Sequence, residues 1–188
     1  MNKITEERFF EIREDKILKF LMSSSAKERH QLVNEWNWRG FGIKELKWIV
    51  SSPDTDKATA LQMYWKSYPW NNAKIYSDRN EVQWYDIELF DFIEAIEKNY
   101  VSGFYKNQTF GFDPKKDMFG YISIAEEDWT AIPNYLSENG KIKRDIPAIM
   151  FEKLNGEKIP HTNDWVEGIP PHIHNELSEL QGMIEHNP

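Results

Sequence analysis

The chain has 188 residues, with 23 Lys and Arg against 31 Asp and Glu for a formal net charge of -8, 14% aromatic residues and no cysteine. That length buries a sizeable core in one domain, and the aromatic content excludes a disordered chain even at a mean hydropathy of -0.70. Without cysteine there is no disulfide framework, thiolate nucleophile or Cys-based zinc site, and the excess of acids repels phosphate backbones, which argues against direct nucleic-acid binding and suits a basic protein partner.

Acids occupy the first fifteen residues where a secretory signal would carry an apolar run, and no stretch reaches the roughly 18 apolar residues of a membrane span, so the expectation is a cytoplasmic protein with no membrane partner. Residues 5–22 read as a first helix, with Phe9, Phe10, Ile12, Ile17, Phe20 and Leu21 between Glu11, Arg13, Glu14 and Asp15. Ser25-Ala26-Lys27-Glu28 has the form of a capping box, in which hydroxyl and carboxylate satisfy the exposed amides of a helix start; a second helix then runs to about Glu35. Asn37, Gly40 and Gly42 stop it. A third helix covers 43–51 and is closed by Pro53, and the oxygens of Asp54, Thr55 and Asp56 offer a cap for a fourth over 57–66. Helices joined this closely pack as an antiparallel hairpin.

The most regular segment is 84–99, where Leu89, Phe92, Ile93, Ile96 and Tyr100 form one apolar stripe at helical spacing. Between residues 78 and 97 lie seven acids, Asp78, Glu81, Asp86, Glu88, Asp91, Glu94 and Glu97, against the single base Arg79. After Tyr100 aromatics mix with Gly, Thr and a Pro-Lys-Lys-Asp turn signal, which predicts one or two short strands near residues 101–124, with a hairpin as one arrangement of them. Ser123-Ile124-Ala125-Glu126 opens a short helix through Trp129. Residues 148–154 suit helix or strand equally, and a last amphipathic helix covers 172–185, with Ile173, Leu177, Leu180 and Ile184 on one face.

Candidate chemistry is sparse. His172 and His174, with His161, Asp164 and Glu176 nearby, have the side chains of a metal site, but residues two apart on a helix point in opposing directions, so no metal or cofactor is expected. The carboxylate pairs Asp54/Asp56 and Glu126-Glu127-Asp128 offer acid-base groups in a chain where acids are abundant, and helix capping accounts for one of the first two. No G-x-S-x-G elbow or phosphate-cradling glycine loop is present, and the expectation is a protein without enzymatic activity. Trp36, Trp38, Trp48, Trp65 and Trp70 fall within 35 residues; Trp48 and Trp65 have apolar neighbours at helical spacing and read as core. Trp84 and Trp129 instead adjoin acidic segments, the pattern of a protein-binding anchor.

Asn37-Trp38, Gly40, Pro53, Asp56 and Thr59-Ala60-Leu61 resemble a bacterial domain family of unknown function with an N-W loop followed by P-x-x-D-x-x-T-A-L at a helix start. The resemblance covers residues 36–70, and this chain departs from it at Arg39, where acids are usual, and by a loop one residue shorter. A fainter similarity links the helix opening to ankyrin-type repeats, of which one unit is visible. What the family resemblance implies is a small accessory protein of the kind that acts as an immunity partner. The resulting expectation is a mainly α fold of helical hairpins in a single domain over 1–188, helical to residue 100 and less regular from 101, with a small β element near 101–124. Its function would be to neutralise a cognate toxin domain, such as a basic nuclease, by covering its active or substrate-binding surface with an acidic face. The residues expected to touch that partner are Trp84, Asp86, Glu88, Asp91 and Glu94, with Glu126, Glu127, Asp128 and Trp129. The alternative is a helical adaptor that binds a peptide or protein through Trp36, Trp38 and Trp70.

Overall fold

The computed structural model describes residues 3–38, 42–117 and 143–184. The chain is mainly α-helical, and among the described residues there are isolated β-bridges but no sheet. The helices are α1 (Glu6–Ser23), α2 (Ala26–Glu35), α3 (Leu46–Ser51), α4 (Lys57–Lys66), α5 (Pro69–Ile75), α6 (Ile87–Val101), α7 (Pro114–Asp117) and α8 (Pro171–Gln181), with 3-10 turns at Arg79–Glu81 and Ala148–Phe151. No helix among the described residues is long and apolar enough to cross a membrane. The chain divides into two compact units, residues 1–49 with 159–188, and residues 50–158.

In the first unit α1 starts where Thr5 Oγ1 accepts from the Arg8 amide at 3.2 Å. The buried face of α1 is Phe9, Arg13, Ile17 and Leu21, spaced four apart. Arg13 occupies a core position because its Nη1 donates to Glu45 at 2.6 Å and its guanidinium lies 5.7 Å from the Trp36 ring, while Phe10, expected on the apolar face, is 53% exposed. α1 packs against α8, and a parallel bridge between Ile4 and Ile184 joins the flanking segments. The capping box of α2 is complete: Glu28 N donates to Ser25 Oγ at 3.2 Å, and Ser25 N donates to Glu28 Oε2 at 2.7 Å.

Val166 to Ile169 is a two-residue turn closed by reciprocal backbone bonds of 3.1 and 2.9 Å, with both central residues left-handed, Glu167 at φ 54 and Gly168 at φ 85. This geometry matches the right-handed twist of a tight hairpin. Gly168 is pressed onto the end of α2, where an added Cβ would lie 2.8 Å from the Trp36 Cα and 2.9 Å from the Leu32 carbonyl oxygen. Asn37 donates from Nδ2 to Glu167 Oε1 at 2.8 Å and fixes the turn from outside.

In the second unit α4 is the central helix. Every residue from Ala58 to Lys66 is buried, and α4 packs against α5 and α6. Asp56, itself 2% exposed, caps it, with Oδ1 accepting from the Ala58 amide at 2.9 Å and Oδ2 from the Thr109 amide at 2.5 Å. Thr59, Ala60 and Leu61 are thus core residues, whereas Pro53 and Asp54 are exposed. Trp65 donates from Nε1 to the Met150 carbonyl at 2.7 Å and stacks on Trp70, while Phe151 meets it edge-on. Short α5 is not expected from sequence. It forms because Tyr68, left-handed at φ 59, reverses the chain and Pro69 sits in the first turn, where its missing amide costs nothing.

The β element takes a different form from the local hairpin expected near 101–124. Phe110 bridges Glu157 and Phe112 bridges Leu154, so the pairing is long-range; the remainder of that region, 118–124, lies outside the described residues. The Pro-Lys-Lys-Asp turn signal is the single turn of α7, and 148–154, readable as helix or strand, forms a 3-10 turn over Ala148–Phe151 with an isolated bridge at Leu154 and no strand.

Asp56→Ala should cost about 2–4 kcal/mol, the sum of a lost N-cap and a Thr109 amide left without an acceptor. Asp54→Ala should stay within about 0.5 kcal/mol, as expected of an exposed position. Urea denaturation of the two variants side by side checks both; equal costs would remove Asp56 from its structural role.

Candidate functional site

The 3-10 turn, the loop after it and α6 carry the acidic segment. Tyr76, Val82 and Phe90 form a small apolar cluster with Ile87 against it, which anchors the loop to α6. Of the expected stripe Phe92, Ile93, Ile96 and Tyr100 are buried and Leu89 is half-buried, and Phe90 joins the buried face. The stripe turns the acids of α6 outward or toward its margins.

Most of those acids have partners. Arg79 donates to both carboxylate oxygens of Asp91, at 2.6 and 2.9 Å. This fork is the strong, directional form of an ion pair, though its exposure limits what it adds to stability. Asp86 accepts from the Tyr76 hydroxyl at 2.6 Å, a bond that also raises the tyrosine pKa above its ordinary value. Asp78 caps the 3-10 turn, and Glu81 takes Lys143 at 3.1 Å. Glu94 and Glu97 share Arg144, which donates to Glu97 at 2.9 Å; Tyr64 donates to the other Glu97 oxygen at 2.8 Å. The Arg144 guanidinium also lies 5.7 Å from the Phe90 ring. Lys143 and Arg144 are more than forty residues along the chain from the acids they balance, so counting charges within residues 78–97 overstates the field of this surface.

Burial is the main influence on the Glu97 carboxyl and raises its pKa above the usual 4.5, with Arg144 and the Tyr64 hydroxyl pulling the other way. Tyr64 is pushed up more strongly, by burial and then by the charge of Glu97. The cluster is a structural network on α6 that uses Arg144 Nη1, while Arg144 Nε and Nη2 are buried without a hydrogen-bond partner.

Trp84 and Tyr85 stand apart from this network. Trp84 is 82% exposed and Tyr85 63%, their rings meeting edge-to-face with centroids 5.6 Å apart. They precede Asp86, so the Tyr76 and Arg79 bonds hold the segment that carries them. Of the residues expected at a partner surface, Trp84, Asp86, Glu88, Asp91 and Glu94 therefore share one segment, while Glu126, Glu127, Asp128, Trp129 and the short helix expected there lie outside the described residues. Sequence reading misses Tyr85, Arg79 and Arg144. The adjacent aromatic after Trp84 is a signal for the first, whereas nothing local marks the other two as ion-pair partners.

Other candidates disperse. Trp36 and Trp70 are buried and Trp38 is half-buried, so the tryptophans of the adaptor alternative present little surface. Trp48 is half-buried under the Arg29 guanidinium, 5.2 Å from its ring. His161 sits 3.0 Å from Glu35, Glu176 takes Lys16, and His172 lies against Phe20. Among the described residues no group of three His, Cys, Asp or Glu side chains is placed to hold a metal ion. In the family motif, Asn37 ties the 166–169 turn and Asp56 caps α4; Gly40 lies outside the described residues.

Residues 24–101, less than half of the chain, match the family model described as Domain of unknown function (DUF4274). The match agrees with the resemblance at residues 36–70 and extends it on both sides, from the end of α1 to the last residue of α6. No curated protein and no solved structure matches the chain.

The raised Glu97 value sets a pH dependence. The folded chain holds this proton more tightly than the unfolded chain, so the group favours folding below 4.5 and loses that contribution as pH rises through its folded value. Glu97→Gln removes the titration, and its stability relative to the parent should increase between about pH 4 and about pH 7. Urea midpoints measured across that range test this; a difference that stays flat or falls would remove burial as the dominant influence.

Proposed function

We propose that the chain is a non-catalytic, cytoplasmic immunity protein that neutralises a cognate bacterial toxin by covering its active or substrate-binding surface. The observation that carries the reading is the Trp84–Tyr85 pair, exposed on a segment held by Tyr76–Asp86 and Arg79–Asp91. Large amphipathic rings that lose little conformational freedom are the usual centre of a protein interface, and a charged rim sets register and excludes wrong partners. Glu88, Asp91 and Glu94 supply that rim. A basic toxin, a nuclease among them, would meet it with complementary charge. In this reading the matched family domain, α2 to α6, contains the whole described contact surface.

A helical adaptor remains the second reading and would use the same aromatic pair, since Trp36 and Trp70 are buried. The partner separates the two. Co-expression with the product of the adjacent reading frame should rescue growth from its toxicity, and the two proteins should purify together. Trp84→Ala should weaken the complex by about 30-fold or more, the scale of an interface hot spot, and change folding stability by less than about 0.5 kcal/mol. Failure of the folded chain to bind or protect against that product would overturn the immunity reading, and a Trp84-dependent complex with a non-toxic protein would favour the adaptor.

A further inference from the structure

The first unit holds a cavity of about 250 Å³ between α1 and α8, closed on one side by the 166–169 turn. It is small beside the roughly 300–1,000 Å³ of drug-sized sites and has room for one side-chain-sized group. Its composition is more telling than its size. Phe9 and Phe10 give it an aromatic wall, their rings edge-to-face with centroids 5.6 Å apart, and Ile169 and Leu177 line it with aliphatic surface. Two carboxylates, Glu6 and Glu167, belong to the same lining.

The charges there do not cancel. Arg13 also lines the cavity, but Glu45, outside the lining, lies 2.6 Å from its Nη1 and matches its charge, which leaves His174 as the one other basic side chain of the lining against two carboxylates. Glu6 has no ion-pair partner among the described residues, and Glu167 meets only the neutral amide of Asn37. The lining therefore carries an excess of carboxylate beside aromatic rings, whose faces are negative. Glu167 is also placed by the backbone. The first central position of such a turn favours Asn, Asp or Gly, yet a Glu stands there at φ 54, held by the close seat of Gly168 on α2 and by the Asn37 bond. That arrangement presets the carboxylate at the cavity wall without a ligand having to order it.

We propose that this cavity binds an organic cation: a primary ammonium or guanidinium group on an apolar stem, the charge toward Glu6, Glu167 and the phenylalanine rings and the stem against Ile169 and Leu177. Cations of this kind are recognised by ring faces and carboxylates together, because the ring quadrupole attracts positive charge and the carboxylates accept its charge-assisted hydrogen bonds. A free amine and a lysine or arginine side chain share this chemistry. The site lies in residues outside α2 to α6 and is separate from the Trp84 surface in both residues and chemistry.

The test is a titration of the intact chain, followed by NMR and calorimetry, with 2-phenylethylamine, its neutral counterpart 2-phenylethanol and the anion 3-phenylpropionate. The amine should saturate and bind at least about tenfold more tightly than the alcohol, the scale of one charge-dependent contact, with the anion weakest. Glu167→Gln and Glu6→Gln should each weaken the amine about fivefold or more and leave the alcohol unchanged. A short peptide with a central lysine, binding more tightly than the free amine, would identify the source as a protein side chain; the reverse order would identify a small molecule. Equal affinity for amine and alcohol, or no saturation by about 10 mM amine, overturns the proposal, and the ligand series on the unaltered chain makes that outcome independent of how the variants fold.

Discussion

The buried carboxylate of Asp56 is the constraint around which residues 50–158 are arranged. A carboxylate taken out of water is costly unless backbone amides or a cation replace the lost hydration. Here each oxygen has an amide, one from the first turn of α4 and one from Thr109. The first bond starts the helix; the second fixes a strap more than fifty residues away in sequence. Lys57 N donates to the Asn107 carbonyl at 2.8 Å and the Asn107 side chain returns to the Asp54 carbonyl, so the strap is held along its length. From Thr109 the chain enters the bridges at Phe110 and Phe112, which draw 154–157 alongside. Just before those residues lies the 3-10 turn whose Met150 carbonyl receives the Trp65 indole. A single cap thus connects the start of α4 to the packing at its far end. The burial of α4 on all sides is possible because so many segments are brought to it.

The first unit also sets a charge in its interior, by a different route. Arg13 stands on the apolar face of α1, where aliphatic side chains would be expected, and Glu45 before α3 neutralises it. The Trp36 ring beside the guanidinium accepts positive charge on its face and excludes water. Removing either partner would leave the other charge buried alone, which costs more than the pair itself contributes. Its value is positional. It ties α1 to the segment that leads into α3, and it matches the charge that Arg13 brings to the cavity beside Phe9.

Legibility follows the range of the interactions. The capping box at Ser25 and Glu28 spans three residues and is readable as written; so is the cap of α4, although not its second, long-range bond. The stripe on α6 is readable because helical period and burial coincide there. α5 is invisible, because its start depends on Tyr68 in a left-handed conformation and its seat on a Trp65–Trp70 stack, neither of which has a sequence period. The pairing of 110–112 with 154–157 crosses more than forty residues, and a local reading of alternation supplies the wrong partner. Arg13 on α1 reads as a polar interruption and is in fact core. At the candidate surface Trp84 is legible as an aromatic next to acids, but the balance of charge is not, because Lys143 and Arg144 approach from a distant part of the chain.

That balance changes what the acidic helix can contribute to recognition. An unpaired carboxylate offers a basic partner its full attraction, whereas Asp91 must first loosen its two bonds to Arg79, and Glu94 must share Arg144 with Glu97. Such an exchange replaces one charge-assisted contact with another and leaves a small net gain, further reduced by salt at exposed positions. Long-range attraction still follows the net charge of -8 over the whole chain, so acids can speed encounter with a basic surface even where they add little to the lifetime of the complex. Lifetime depends on buried contact. On this segment that means Trp84 and Tyr85, whose exposed rings have the most area to remove from water and the fewest internal bonds to surrender. The ion pairs then act as a brace, holding the aromatic pair in place before a partner arrives and lowering the ordering cost that a flexible loop would impose on binding.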